Sequence, residues 1–340
     1  MHTMNDRPTD PASDTTTRAV TQRIYGSAQV LEVTSIERPT ISPDEVLIEV
    51  EAAGLDRGVW HLMTGAPYLI RIMGYGLTKP KNPVLGMDVA GRVVEVGSEV
   101  TRFAVGDEVF GIGTGTFAEL AAAKESKLVH KPTNITFDQA AVSAISGITA
   151  LQALTTVGRV EPGQHVLVVG ASGGVGSFTV QLAKALGATV TGVASGPKLD
   201  AVRALGADHV IDYSSEHVDD GGRRFDLIVD TGGRNKLSRL RRALSPTGTL
   251  VIVGGEDGNR FTGGIGRQLR AVLISPFSRQ RLTMFLSKES LEFIEPLAEH
   301  LATGAVTPAI GQQFDLGGVS AAIEAMEAGS LIGKTVITPR

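Results

Sequence analysis

A chain of 340 residues, 42% hydrophobic and 20% charged, is too long for one typical core and reads as a globular protein of two domains. Its formal net charge of −4 offers no attraction to nucleic acid or to an anionic membrane, and no apolar run of about 18 residues is present to span a bilayer. Cysteine is absent, which excludes disulfides, thiolate nucleophiles and Cys-ligated zinc, and fits a reducing cytoplasmic setting.

Residues 1–18, rich in Asp, Thr and Pro and without an apolar core, predict a disordered tail rather than a signal peptide. Ala19 to Thr34, Val46 to Ala53, Val84 to Val96 and Glu108 to Leu120 are apolar, β-branched or glycine-punctuated. They predict strands of a β-rich, barrel-like domain over 19–136. Alanine-rich sequence then predicts a helix from Phe137 to Val157, started by Thr136 as cap and Asp138 in the first turn. Strands follow at Val166–Val169, Thr189–Ala194, Val210–Asp212, Leu227–Asp230 and Thr249–Val253. They alternate with helices ending at Leu186, across Lys198–Leu205 and near Leu237–Leu244. That alternation predicts an α/β fold over 137–285, a doubly wound parallel sheet with helices on both faces. A helix from Glu289 to Leu301 and a strand at 333–338 predict a return of 286–340 to the first domain.

The strand Val166–Val169 runs into Gly170-Ala171-Ser172-Gly173-Gly174-Val175-Gly176, which opens a helix. A helix N-terminus offers unpaired N–H groups and a positive dipole end to a phosphate, and glycines let the backbone approach a pyrophosphate closely. The pattern is a dinucleotide fingerprint with alanine at its first glycine, in the strand–turn–helix context it requires. An NAD-preferring site carries an Asp or Glu about 20 residues later, for the ribose 2′-OH. Here the second strand ends in Ser195-Gly196-Pro197-Lys198, without a carboxylate. Ser195 and Lys198 suit a 2′-phosphate, Tyr213 can cover the adenine ribose, and NADPH is the expected cofactor.

The chain resembles the medium-chain dehydrogenase/reductase superfamily, in its zinc-free quinone oxidoreductase-like branch. The resemblance runs from Ala19 to Thr338. It rests on the fingerprint, on Ala52-Ala53-Gly54-Leu55-Asp56, Pro83-Val84-Leu85-Gly86-Met87-Asp88, Gly106-Asp107-Glu108-Val109-Phe110-Gly111 and Ser146-Gly147-Ile148-Thr149-Ala150, and on the closing Gly333-Lys334. It implies a GroES-like β-rich barrel joined to a Rossmann domain, with substrate in the cleft between them, and it adds Thr149, Gly254 and Lys334 to the cofactor contacts. Where zinc members place catalytic ligands, this chain has Asp56, Met87 and Ser146, beside Asp88. A catalytic zinc needs about three N, O or S donors, so a metal-free protein is expected.

Without a metal to lower the pKa of an alcohol, the fitting reaction is hydride transfer from NADPH to a quinone or an α,β-unsaturated carbonyl. His61, Asp56 and Tyr68 are the candidate catalytic residues: His61 to donate a proton or merely to bond a loop carbonyl, Asp56 to bind substrate or ribose or to hold its loop, Tyr68 to wall the pocket. Arg71, Lys79 and Lys81 are expected on a substrate-side loop. The resemblance also implies a homodimer built edge to edge, for which Thr249–Val253 and Ala271–Ile274 are candidate strands. Three competing readings are an alcohol or aldehyde oxidoreductase, a non-catalytic NADPH sensor on the same fold, and a hydrolase whose nucleophile elbow would be Gly170-Ala171-Ser172-Gly173-Gly174, with Asp230 and His300 following.

Overall fold

The computed structural model describes residues 15–254, 261 and 263–339. Strands β1 (Thr16–Thr21) and β2 (Glu32–Glu37) form an antiparallel ribbon. β1 starts inside the stretch read as a tail: Thr17 and Ala19 turn inward and Val20 N donates to Phe117 O, so Thr16–Arg18 are ordered by pairing and burial. The rest of that expectation, residues 1–14, lies outside the described residues.

The long strand β3 (Glu45–Leu55), almost continuously apolar on its inner face, is the axis of the first domain. Helix α1 (Arg57–Thr64) follows it directly, and β4 (Asp88–Val96), β5 (Glu108–Ile112), β6 (Leu120–Lys124) and β7 (Leu128–His130) complete most of the sheet. The strand expected over Glu108–Leu120 is therefore two strands; the chain turns between them at Gly115, whose φ of 67° suits glycine. The single helix expected over Phe137–Val157 is also divided, into α2 (Phe137–Ala141), α3 (Ala144–Gln152) and a wide final turn. The break puts the first turn of α3 against β4, where the Asp88 carboxylate accepts the Ile145 N–H at 2.8 Å. Thr136 caps α2 in a reciprocal arrangement with Gln139.

The second domain runs β8 (His165–Val169), α4 (Gly174–Ala185), β9 (Thr189–Ala194), α5 (Leu199–Ala204), β10 (His209–Asp212), β11 (Phe225–Asp230), α6 (Leu237–Ala243), β12 (Leu244–Ile252), α7 (Ile265–Ile274) and β13 (Arg281–Met284). All pairings in this six-stranded sheet are parallel, in the order β10-β9-β8-β11-β12-β13. Period-2 alternation sends Val166 and Val168 into one core and Leu167 and Val169 into the other, as a sheet covered on both faces requires. The chain changes direction between β8 and β11, which opens a crevice at the carboxyl ends of those strands. Ala271–Ile274, expected as an edge strand, is the last turn of α7: Ala271 is buried while Val272 and Leu273 are exposed, a helical rather than a strand pattern, and β13 takes the edge.

The chain ends with α8 (Leu291–Ala302), β14 (Ile310–Asp315), α9 (Val319–Glu327) and β15 (Lys334–Thr338). β15 pairs antiparallel with β3, Thr335 opposite Leu55, so Lys334 is delivered to the end of β3 from which Asp56 emerges. Residues 280 apart in sequence are thus placed together by one strand pairing, at the junction of the two domains.

Candidate functional site

The site is built where β8 hands over to α4. Gly170 makes the turn with φ 83°, and a side chain there would strike Thr231 Oγ1. Ala171, in place of a first glycine, fits because it is buried opposite Gly192, which leaves room for its methyl. A Cβ on Gly176 would lie 2.1 Å from Gly170 O, so α4 packs on its own strand only through a glycine. Gly173, the N-cap of α4, has no side chain to offer, so the N–H groups of Gly174, Val175 and Gly176 face the crevice without intrahelical partners. Ser172 O accepts the Gly333 N–H at 2.9 Å, which ties the fingerprint to the residue before Lys334.

Lys334 is almost wholly buried, and its Nζ lies 3.2 Å from Asp88 Oδ2. The stem of Lys334 passes over Gly174, where a Cβ would meet Cδ at 2.9 Å and Ser146 Oγ at 3.2 Å. Asp88 is fully buried, and desolvation pushes it up to about 7, against the ammonium of Lys334 and with the carboxylate of Asp56 adding to the rise. Asp56 caps α1: Oδ1 accepts the Val59 N–H at 3.1 Å, while Oδ2 is buried without a hydrogen-bond partner. An orphaned carboxylate oxygen at a domain junction is unfavourable unless a ligand donor reaches it.

The remaining sequence candidates divide. His61 Nδ1 is 2.7 Å from Ala66 O, and since a carbonyl oxygen can only accept, Nδ1 is the donor of that bond. Tyr68 stacks edge-on against Phe261 and under the Arg71 guanidinium. Thr149 sits in α3 with its hydroxyl donated to Ile145 O. Gly254 follows β12 and hydrogen-bonds Asp230 O, and a side chain there would strike Thr231 O. Ser195 and Tyr213 stand at the carboxyl ends of β9 and β10, Tyr213 exposed. Lys198 does not simply face solvent: its Nζ donates to Gly329 O at 2.8 Å and Leu331 O at 2.7 Å, and burial lowers its pKa.

Sequence reasoning missed Asp212. Its carboxylate, held below the usual range by the Ser214 side chain and N–H, also takes a hydrogen bond from Gly196. A carboxylate therefore does reach the Ser195–Gly196 turn, from the neighbouring strand rather than from the strand inspected. Asp230, a triad member in the hydrolase reading, is bound by Arg267 and Gly233 N rather than by His300.

Zinc fits this donor set poorly. Among the described residues no group of three or more His, Cys, Asp or Glu side chains converges. Asp56 Oδ1 is spent on a helix cap, both Asp88 oxygens are bonded, and one of their partners is itself a cation. A nicotinamide dinucleotide fits well: exposed N–H groups, a close-approach glycine and a buried ammonium line one path.

Residues 42–133 match the alcohol dehydrogenase GroES-like domain family, and residues 205–337 the zinc-binding dehydrogenase family. The chain is 32% identical over 331 residues to 2-methylene-furan-3-one reductase of Solanum lycopersicum, covering 93% of this chain and 77% of the relative. It is also 32% identical to a quinone oxidoreductase of Pseudomonas aeruginosa, covering 93% and 97%. Among solved structures, the quinone oxidoreductase from Coxiella burnetii superposes with a TM-score of 0.85 at 27% identity, covering 96% of this chain and all of the other. A mycobacterial protein complexed with NADPH gives 0.80 at 25%, covering 95% and 100%.

Proposed function

This chain belongs to the medium-chain dehydrogenase/reductase superfamily, in its quinone oxidoreductase-like branch, and is an oxidoreductase; on that premise we propose that it reduces a quinone or an α,β-unsaturated carbonyl with NADPH and without a catalytic metal. The observation that carries this reading is the Lys334 ammonium, clamped by Asp88 over Gly174. It places one fixed positive charge where a pyrophosphate would meet the N-terminus of α4.

Bound NADPH supplies the hydride, from its nicotinamide C4. The N–H groups of Gly174, Val175 and Gly176, with Lys334, would hold the anionic bridge. Asp56 Oδ2 is acceptor-only when ionised, so its natural partner is a hydroxyl of the cofactor ribose rather than the carbonyl of an acceptor. His61, with Nδ1 committed to Ala66 O, acts as a positioning residue for the turn after α1. The Tyr68 hydroxyl is the donor left to stabilise charge on the acceptor oxygen. An electron-poor acceptor needs no Lewis acid to take hydride, whereas alcohol oxidation does.

Lys198, whose backbone N–H closes the Ser195 turn and whose ammonium bonds the Gly329 and Leu331 carbonyls, supports NADPH; Asp212, bonded to Gly196 of that turn, favours NADH as the second reading. A homodimer is supported by β13, which has no further strand beside it among the described residues and is flanked by the exposed Leu273, Phe277 and Leu286. The absence of cysteine supports a cytoplasmic setting. The test is oxidation of NADPH and of NADH with a quinone, an enone and an aldehyde, with zinc and with a chelator. Chelator-insensitive turnover of quinone or enone with NADPH is expected. Turnover of aldehyde alone, dependent on zinc, would overturn the reading.

A further inference from the structure

The loop that α1 delivers has an unusual composition and an inverted arrangement. Between Arg57 and Met87 the chain carries Arg57, Arg71, Lys79 and Lys81 but neither Asp nor Glu. At 36 acids in 340 residues, this stretch of 31 would hold about three. Leu69, Ile72, Met73, Tyr75 and Leu77 are all exposed, at 39 to 72% of their full accessibility. The charged residue among them is turned inward instead. Arg71 lies between the rings of Tyr25 and Tyr68, 4.3 and 4.6 Å from their centroids, and its Nε donates to Gly65 O at 2.9 Å. Tyr25 Oη donates to the Tyr75 and Gly76 carbonyls, which fixes the far end of the loop. The scaffold thus holds Arg71 half-buried between two rings and leaves the apolar side chains out, against the usual partition at a water-facing surface.

Exposed Lys79 and Lys81 flank this apolar tip, and the exposed ring of Phe261 joins it from the second domain through Tyr68. Apolar and aromatic side chains rimmed by lysine, on a stretch that carries no acid of its own, are the composition of a surface that seats in an anionic lipid interface. A second copy is a poorer occupant, since a two-fold contact would oppose the same cations to each other. The patch is also close to the chemistry: α1 spans eight residues, about 12 Å, from Asp56 to the start of the loop.

We propose that the loop 68–81 docks this enzyme on an anionic lipid surface, and that its acceptor is a lipophilic quinone or enone drawn from the bilayer. The acceptor half rests on the reductase reading; the docking half does not. The net charge of −4 does not oppose it, because the excess acid lies elsewhere on the chain and orients this face to the lipid.

The test is co-sedimentation of the full chain with phosphatidylcholine vesicles, with and without phosphatidylglycerol. Binding only to phosphatidylglycerol vesicles, lost at about 1 M salt, is expected. The variant K79Q/K81Q should bind about 25-fold more weakly, about five-fold per lysine, and I72S/L77S tenfold or more, with melting temperatures unchanged. Absence of binding, or equal binding to neutral vesicles, would overturn docking. So would I72S/L77S turning a dimer into a monomer by light scattering, which would assign the patch to a second copy. Turnover of a water-soluble quinone without vesicles is measured in parallel. Vesicle binding with no such turnover would sink the reductase reading, and the acceptor half with it, and leave docking standing; turnover with no vesicle binding would sink docking and the bilayer as source of the acceptor, and leave the reductase reading standing.

Discussion

Removing Lys334 separates what the buried ion pair does for the fold from what it does for the cofactor. Lys334→Met leaves the Asp88 carboxylate fully buried with one remaining donor, the Ile145 N–H at 2.8 Å. Breaking a buried pair in this way costs about 3–5 kcal/mol when the survivor is ionised. Asp88 already sits near 7 with its partner present, so below that pH it escapes the penalty by binding a proton. The cost is therefore expected to be about 1 kcal/mol near pH 5 and the full amount near pH 9, the latter a fall of about 6–10 °C in melting temperature. The double variant D88N/K334M carries no buried charge at the pair, so it should lose the pH dependence of the pair and be more stable than the single variant near pH 9. NADPH affinity should not return with it. Loss of an ammonium–phosphate hydrogen bond, about 1.5–3 kcal/mol, weakens Kd by about 10- to 100-fold in both variants. Differential scanning calorimetry from pH 5 to 9 and fluorescence titration with NADPH read the two effects separately. A cost independent of pH, or a double variant no more stable than the single, would refute the buried pair. Affinity recovering together with stability would show that Lys334 does not reach the cofactor.

Three further outcomes follow from the same geometry. In the parent, the folded-state pKa of Asp88 is raised above its unfolded value, so the stability it confers is complete below about pH 4 and is lost as pH rises to about 7. Urea titration should show this decline, and Asp88→Asn should flatten it. Gly176→Ala drives a methyl against Gly170 O and its carbonyl carbon, both backbone atoms. It should lower the melting temperature by about 2–6 °C and NADPH affinity by tenfold or more, whereas Gly173→Ala, whose Cβ meets nothing nearer than 3.4 Å, should leave the melting temperature unchanged. Lys198→Ala should raise KM for NADPH about tenfold and leave that for NADH unchanged, while Asp212→Asn should move preference toward NADPH. If neither ratio of kcat/KM moves, these two residues do not set cofactor choice.

The parallel sheet was legible because each strand is a short apolar run and each crossover is punctuated by glycine. The fingerprint was legible because strand, glycines and helix are contiguous. Lys334 and Asp88 stood out as motif members, but nothing local shows that they touch: the contact exists only because β15 pairs with β3. The helix break at Val142 was hidden for a similar reason, since alanine-rich sequence favours continuity and the carboxylate that restarts α3 lies on β4. Asp212 was overlooked because the adenosine-side carboxylate was sought on β9, whereas a parallel sheet places the end of β10 alongside it. His61 is the converse case. Its residue type allowed proton transfer or a bond to a loop carbonyl, and its ring lies against the carbonyl of Ala66, five residues on, a contact whose partner the sequence did not single out. The patch at 68–81 was masked by averaging: a whole-chain charge of −4 contains a stretch of 31 residues with four cations and no acid.

On the proposed metal-free reading, the charge arithmetic of the junction accounts for how a scaffold shared with zinc-binding dehydrogenases would work. Two carboxylates, Asp56 and Asp88, are buried near one another, and the charge of Asp56 adds to the rise that burial causes at Asp88. A divalent cation would relieve that repulsion, but only with further donors, and the neighbouring positions hold Met87 and Ser146. Lys334 relieves it instead with a monovalent charge that is covalently attached and cannot dissociate. That charge sits beside Gly174 and not at an open coordination position, so it favours a phosphate bridge rather than polarising a substrate oxygen. The substrate must then bring its own electrophilicity. A conjugated carbonyl or quinone does; a simple alcohol does not.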